Sequence, residues 1–247
     1  MAFLDDDDSW HDRKLELTGE AIARHPEAGL FYSSFECMDD HGRRLWVQRA
    51  PCLMAEARRR LAARNFIGTS TVTIRRTCFE EAGGFDDSIE FGEDWDLWMR
   101  IAGRHAIVRV KGVLTRYEHL RSGSVTGTMA PEAKRQSMVN IVRKVVAEDP
   151  ALEKWQPRID AALAHNTAKF FLIDGRDQEA ARGFFDAWRR RPSQWQSVLY
   201  LVLALVPALR RMLPPRLRVR LLGHHPRHGR PRPSLTPPRD TEAVGVD

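Results

Sequence analysis

The chain has 247 residues and a formal net charge of +6, and 43 % of its residues are apolar. This apolar content can bury a sizeable core, which excludes wholesale disorder, and the length suits one large domain with a small appendage. The positive charge is uneven, because residues 207–240 contain nine arginines and one acid. That basic stretch has no interleaved aromatic residues, so nucleic acid is not an expected partner.

The predicted elements alternate between strands and helices in the first half of the chain. We expect a strand that ends at Leu4, then a helix at 14–24 and a strand at 29–35. A hairpin arm at 43–48 and a basic helix at 55–64 should follow. These are followed by a strand, two helices and two short strands at 69–75, 76–82, 93–102, 106–110 and 113–117. This order predicts an α/β domain over residues 1–127.

After Gly127 the pattern predicts helices only. Helices are expected at 132–147, 159–174 and 178–190, and the last two have the spacing of a tetratricopeptide-like hairpin. One hairpin is not an array, so we interpret residues 128–195 as a helical appendage. Residues 223–247, which are rich in proline and arginine, are predicted to be disordered.

Compartment and membrane contact are predicted from what the sequence contains near its start and its end. Met1–Leu4 lead directly into four aspartates, so there is no signal-peptide pattern, and the three cysteines have no metal-ligand spacing. We expect a cytoplasmic protein with free thiols. The apolar-then-basic segment 196–222 is either a peripheral contact with the inner face of the membrane or a buried amphipathic helix.

The first candidate site is the acidic run Asp5–Asp8. Because ligands of open α/β sheets gather beyond the carboxyl ends of strands, Asp5, Asp7 and Asp8 are candidates to hold a divalent cation with a bound diphosphate. The alternative is an acidic, solvated chain terminus. The neighbouring Phe3 and Trp10 argue against a purely solvated tail.

The second candidate site lies at the start of the helix at 93–102, where Glu93, Asp94 and Asp96 cluster. Acidic residues are favoured there by the helix dipole, which is a sufficient structural explanation. The functional alternative is a general base, with Asp94 accepting a hydroxyl proton. The two tryptophans on this helix, Trp95 and Trp98, are expected to pack in the core, and Trp95 is the one of the two expected nearer a cleft.

His119 is the last candidate residue. It could reach a metal or a phosphate, and the alternative is a purely structural histidine.

Several of these motifs together resemble the family 2 glycosyltransferases, which have the GT-A fold. The resemblance covers residues 2–126 and rests on motifs that follow one another in the family's order: Leu4-Asp5-Asp6-Asp7-Asp8-Ser9-Trp10, Lys14-Leu15, His25-Pro26-Glu27-Ala28-Gly29-Leu30, Gly83-Gly84-Phe85-Asp86 and Glu93-Asp94-Trp95-Asp96-Leu97-Trp98. The fold it implies is α/β: a GT-A (Rossmann-like) mixed sheet that lacks its N-terminal nucleotide-binding strands, followed by the helical appendage.

The resemblance also implies a donor site. Asp5 and Asp7 look like a metal-binding Asp-x-Asp pair supported by Asp8, with His119 as a further metal ligand and Trp95 beside the donor. The metal would be Mg²⁺ or Mn²⁺, and the donor a nucleotide-diphosphate sugar.

The chemistry implied is an inverting transfer. Asp94 looks like the base that deprotonates the acceptor hydroxyl, and Glu93 like a neighbour that shapes the acceptor site. The acceptor would be a glycan or a lipid-linked molecule, as in polysaccharide or glycoconjugate synthesis.

The family's domain begins well upstream of the acidic run, so we expect a truncated product or a start that was assigned too late. Two other functions stay open on the sequence. One is an inactive remnant that binds a partner through residues 132–190, and the other is a metal-dependent phosphohydrolase.

Overall fold

The structure is a computed structural model that describes residues 1–39, 41–52, 56–118 and 129–222. Two long strands, β2 (Ala28–Met38) and β5 (Ala106–Glu118), run parallel at the centre of a mixed sheet. The sheet order is β1-β5-β2-β3, and β4 also pairs with β2; these three outer strands are antiparallel to their neighbours. They comprise β1 (Ser9–Trp10), β3 (Arg44–Gln48) and β4 (Thr73–Ile74).

Helices are interspersed with the strands as far as β5, and the described elements after β5 are all helical. Four lie among the strands: α1 (Lys14–Arg24), α2 (Ala57–Ala63), α3 (Arg76–Glu81) and α4 (Glu93–Ala102). In the ranges that the structure describes, six follow β5: α5 (Pro131–Glu148), α6 (Gln156–Ile173), α7 (Asp177–Arg190), α8 (Gln196–Leu205), α9 (Pro207–Met212) and α10 (Pro215–Leu222). Short 3₁₀ turns lie at Thr69–Thr71 and Pro150–Trp155.

The sheet is covered on both faces, which explains why β2 is buried along almost its whole length. Successive strand residues point to opposite faces. Phe31 therefore packs with Ala21 of α1, while Leu30 and Tyr32 pack with the α4 side chains on the other face. The result is a mixed α/β fold with helices on both faces of a mixed sheet, consistent with a GT-A-like fold.

The helical part shares the larger of these cores. Ile141 and Val142 of α5 pack in the same cluster as Trp98 of α4. Further on, α6, α7 and α8 form a second core around Phe184 and Tyr200. The domain boundary predicted at residue 128 is therefore not a break in the hydrophobic core.

The structure differs from the predicted strands at three places, and it also has a strand at Ser9–Trp10 and a 3₁₀ turn at Pro150–Trp155 that the pattern does not predict. Ala2 forms a single bridge to Thr73 rather than a strand. The predicted strand 69–75 begins with a 3₁₀ turn, because the Thr71 hydroxyl donates to the Gly68 carbonyl and stabilises a turn instead. The two strands predicted at 106–117 are one continuous strand, with Gly112 at a positive φ of 123° between them.

Two predictions fall on residues that are not described: the role of His119 and the disorder of the tail 223–247. Among the helices of the described ranges, none is long and apolar enough to cross a membrane.

Substitution of Gly92, at the start of α4, tests the contact between α4 and α5. Its φ is +84°, and a Cβ there would lie 3.2 Å from the Ile141 side chain of α5. Gly83 has a similar φ of +80° but nothing within 4 Å of a built Cβ. We expect Gly83→Ala to lower the free energy of unfolding by about 1–2 kcal/mol, the cost of a left-handed backbone.

Gly92→Ala adds a steric contact to that backbone cost, so we expect a further loss of about 1 kcal/mol. Urea unfolding of both variants and the wild type measures the difference. Equal losses in the two variants would show that the contact between α4 and α5 has no energetic weight.

Candidate functional site

A cavity of about 330 Å³ opens at one end of the sheet, and both acidic motifs reach it. Its walls come from the acidic run, strands β2, β3 and β5, residues 64–71 and the first turn of α4. The lining residues are Asp5, Asp8, Phe35, Cys37, Trp46, Gln48, Arg64, Asn65, Phe66, Ile67, Gly68, Thr69, Ser70, Thr71, Asp94, Thr115 and Tyr117.

The acidic run forms a turn that is tied to the 3₁₀ turn at Thr69–Thr71. The Asp8 amide donates to the Asp5 carbonyl at 3.2 Å, which closes the turn. The Asp5 amide donates to the Ser70 hydroxyl at 3.0 Å, and the Trp10 indole donates to the Ser70 carbonyl at 2.7 Å. These bonds hold Asp5 and Asp8 at the cavity wall, so the acidic run is not a solvated tail.

Asp8 is the carboxylate of this turn whose environment is most unusual. Its Oδ1 accepts a hydrogen bond from the Glu118 amide at 3.1 Å. Its Oδ2 is buried and has no hydrogen-bond partner among the described residues. Burial raises the pKa of Asp8 to about 6, with smaller contributions from the negative charges of Asp5 and Asp7. A buried oxygen of this kind is costly unless a proton or a cation reaches it.

Burial also raises the pKa of Asp5, and the charges of Asp7 and Asp6 add to the effect.

Asp94 faces the same cavity from the first turn of α4. Its Oδ2 accepts hydrogen bonds from the Asn65 amide and the Thr69 hydroxyl, each at 3.2 Å, and its Oδ1 accepts one from the Trp95 backbone amide. Burial is the main cause that raises the pKa of Asp94 to about 6, and the charge of Glu93 adds to it. Asp94 is therefore an oriented carboxylate that can take up a proton near neutral pH.

Sequence reasoning missed the segment that joins the two acidic motifs, residues 64–71. It supplies the Asn65 and Thr69 donors to Asp94 and the Ser70 hydroxyl beside Asp5. It also supplies Arg64, whose cationic side chain lines the cavity and forms no ion pair with the described residues. The run Gly68–Thr71 is the signal in the sequence, but the strand predicted over 69–75 treats Thr69, Ser70 and Thr71 as regular β-structure.

Part of the cavity wall is aromatic. Phe35 and Tyr117 pack with their ring centroids 5.7 Å apart, and Trp46 and Phe66 lie along the same cavity. Such a wall suits the apolar face of a sugar or a base. Cys37 also lines the cavity, but burial raises the pKa of its thiol to about 12, so the thiolate needed for nucleophilic attack does not form near neutral pH.

The Gly-Gly-Phe-Asp motif supports the site without lining it. Phe85 packs against Phe3 with ring centroids 5.6 Å apart, and Phe3 in turn lies 5.9 Å from the Trp98 ring of α4. The Arg100 guanidinium donates to the Ala82 and Gly84 carbonyls and to the Asp96 carboxylate. This aromatic cluster fixes the start of the acidic turn against the helix that carries Asp94.

Several predicted site residues lie elsewhere. Trp95 does not line the cavity, because its ring is buried at 3 % exposure under α2 and its indole donates to the Leu61 carbonyl, which agrees with the expectation that it packs in the core. Glu93 is exposed and Asp7 is half-buried, and neither lines the cavity. The roles predicted for Glu93 and Asp7 stay predictions.

The carboxylates of the acidic turn fit a hard divalent cation. Asp5 and Asp8 both line the cavity, and the unpartnered Asp8 Oδ2 is an oxygen ligand of the type that Mg²⁺ and Mn²⁺ prefer. In the described part of the chain, no cluster of three or more His, Cys, Asp or Glu side chains could enclose a metal ion. A Mg²⁺ ion held by one or two carboxylates completes its shell with water and phosphate oxygens, so two ligands suffice.

Comparison with known proteins finds two distant relatives, and no protein-family model matches the chain. The chain is 24 % identical to an uncharacterized glycosyltransferase of Rickettsia felis over 187 residues, which cover 75 % of this chain and 30 % of that protein. It is 22 % identical to an uncharacterized glycosyltransferase of Haemophilus influenzae over 219 residues, which cover 85 % of this chain and 70 % of that protein.

The raised pKa of Asp94 predicts a measurable pH dependence of stability. Its folded-state pKa of about 6 exceeds the model-peptide value of 3.8, so the folded protein holds the proton more tightly. The stabilisation from this proton is complete below about pH 4 and is lost as the pH rises through 6. We expect wild type to lose about 2–3 kcal/mol relative to Asp94→Asn between pH 4 and pH 7.

Chemical unfolding at several pH values measures this relative change. The substitution also alters hydrogen bonds, but that adds a constant difference in unfolding free energy that does not vary with pH. Asp87→Asn is the control, since Asp87 is exposed on the loop before α4. If wild type and Asp94→Asn change in parallel with pH, the pKa of Asp94 is not raised.

Proposed function

We propose that this chain takes part in glycosyl transfer from a nucleotide-diphosphate sugar to an acceptor hydroxyl. The observation that carries the proposal is one cavity lined both by the Asp5 and Asp8 carboxylates and by Asp94 with its raised pKa. The names of the two relatives support the same reaction class. The match to the Rickettsia relative spans only 30 % of that protein, so the activity of a whole enzyme is part of the proposal.

Asp94 is the proposed general base. The acceptor O–H proton moves to a carboxylate oxygen of Asp94 while the acceptor oxygen bonds to the anomeric carbon of the sugar. The anomeric carbon–oxygen bond to the diphosphate breaks, and its electron pair leaves with the diphosphate. Attack from the face opposite the leaving group inverts the anomeric centre. Asn65 and Thr69 hold the carboxylate in position through their hydrogen bonds.

Asp5 and Asp8 are the proposed ligands of the divalent cation, Mg²⁺ or Mn²⁺. When bound, the cation offsets the negative charge that develops on the leaving diphosphate. It would also bring the unpartnered Asp8 Oδ2 a positive charge and favour its ionised form.

Arg64 is the proposed cationic side chain that binds the phosphates of the donor. Its guanidinium lines the cavity, where it can pair with phosphate oxygens. The aromatic wall formed by Phe35 and Tyr117 excludes water and offers an apolar face to the sugar ring.

The base is tested by nucleoside-diphosphate release from a panel of nucleotide-diphosphate sugars with Mn²⁺ and candidate glycan acceptors. We expect Asp94→Asn to lower kcat by about 10²–10⁴-fold, the usual contribution of a general base, and Asp87→Asn to leave it unchanged. The wild-type rate should fall below about pH 6 as Asp94 is protonated. Full activity of Asp94→Asn would refute this assignment.

Arg64 is tested by binding rather than by turnover. Isothermal titration with a nucleoside diphosphate and Mn²⁺ should show about tenfold weaker binding for Arg64→Gln, since a charge-assisted pair contributes about 1.5–3 kcal/mol. Arg60→Gln is the control, because Arg60 is exposed one turn earlier and its ion pair in the described part of the chain is with Glu56. Absence of diphosphate binding by wild type would favour the alternative of an inactive binding module.

A further inference from the structure

The helices α8 and α9 present apolar side chains on two opposite faces. On the inner face, Tyr200 and Ala204 pack in the second core with Phe184. On the outer face, eight large apolar side chains are each between 39 % and 78 % exposed. This apolar stripe comprises Trp195, Val198, Leu199, Val202, Leu205, Val206, Leu209 and Met212.

The apolar stripe runs along α8 and continues onto α9. Within α8, Val198, Leu199, Val202 and Leu205 recur every three or four residues, which places them on one side of that helix. The Val206 amide donates to the Val202 carbonyl and the Leu209 amide donates to the Val206 carbonyl, so α9 follows α8 without an intervening loop. Soluble monomers rarely expose a contiguous apolar surface of this kind unless it binds something. The apolar stripe therefore needs an apolar partner.

The charge around the apolar stripe indicates that the partner is also anionic. Residues 187–239 contain twelve arginines and no aspartate or glutamate. Arg191 and Arg211, near the two ends of the stripe, form no ion pair with a carboxylate among the described residues. Arg210 differs, because it is paired with both carboxylate oxygens of Asp177.

Two other occupants fit these observations less well. The segment 223–247 has only Leu235, Val244 and Val246 as large apolar residues, too few to cover eight side chains. In a symmetric pair of stripes from two copies, antiparallel contact would bring Arg191 of one copy towards Arg211 of the other, and these like charges repel.

We propose that the apolar stripe inserts into the interface of an anionic lipid bilayer, with Arg191 and Arg211 at the depth of the headgroup phosphates. The helices would lie in the membrane plane, apolar side down, as interfacial helices do. Trp195, 66 % exposed at the N-terminal end of the stripe, has the amphipathic ring that favours the headgroup region. This surface lies apart from the cavity, so the proposal does not depend on the glycosyl-transfer activity.

Co-sedimentation of the full chain with vesicles tests the proposal. We expect binding to vesicles of phosphatidylglycerol and phosphatidylcholine in equal parts, and much weaker binding to pure phosphatidylcholine. Leu205→Ser should weaken binding about tenfold, since it removes one apolar anchor. Leu15→Ser is the matched control, because Leu15 on α1 is similarly exposed at 61 % but lies outside the stripe.

Two further measurements separate the charge from the apolar contact. Arg191→Gln with Arg211→Gln should weaken binding to the anionic vesicles by about fivefold for each arginine. Trp195 fluorescence should shift to shorter wavelength with vesicles, and Trp195→Phe should lose that shift.

Three results would overturn the proposal. The first is no binding of wild type to anionic vesicles, and the second is equal binding by wild type and Leu205→Ser. The third is a wild-type dimer that Leu205→Ser converts to a monomer, which would assign the stripe to contact between copies.

Discussion

The site depends on one short 3₁₀ turn, Thr69–Thr71, whose groups bond to the acidic turn, to α1, to α4 and to β5. The Thr69 hydroxyl donates to Asp94, and the Ser70 hydroxyl and carbonyl accept from Asp5 and Trp10. The Thr71 carbonyl accepts from Lys14, a buried ammonium whose pKa burial lowers to about 8. In a regular strand, the Ser70 and Thr71 carbonyls would accept hydrogen bonds from a neighbouring strand. The turn leaves these carbonyls free to bond to the residues around the site.

Local signals predicted the helices of the first half well, and long-range contacts decided the rest. The helices at 14–24 and 93–102 have the predicted bounds, because their apolar spacing and flanking residues act within a few positions. The turn at Thr69–Thr71 was missed because side-chain hydrogen bonds compete there with β-pairing. The burial of Trp95 depends on α2, a helix of 7 residues that lies far from Trp95 in the sequence, so local sequence does not show what covers this ring.

The candidate site was only half predictable for the same reason. Asp5, Asp8 and Asp94 were identified from the sequence because clustered carboxylates are conspicuous and need a counter-charge. Arg64, Asn65 and Tyr117 were not, since nothing in their local sequence distinguishes them from other surface residues. Only the fold brings them to the same cavity.

The contacts at the start of α4 have a mechanical consequence. Gly92 packs on Ile141, the Phe91 carbonyl accepts from Ser137, and Lys144 lies 3.4 Å from the buried Asp96 carboxylate. Side chains from three successive turns of α5 thus contact the region around the first turn of α4, which carries Asp94. Because these contacts join the start of α4 directly to α5, we expect a displacement of α5 to shift the Asp94 carboxylate instead of being absorbed in a loop.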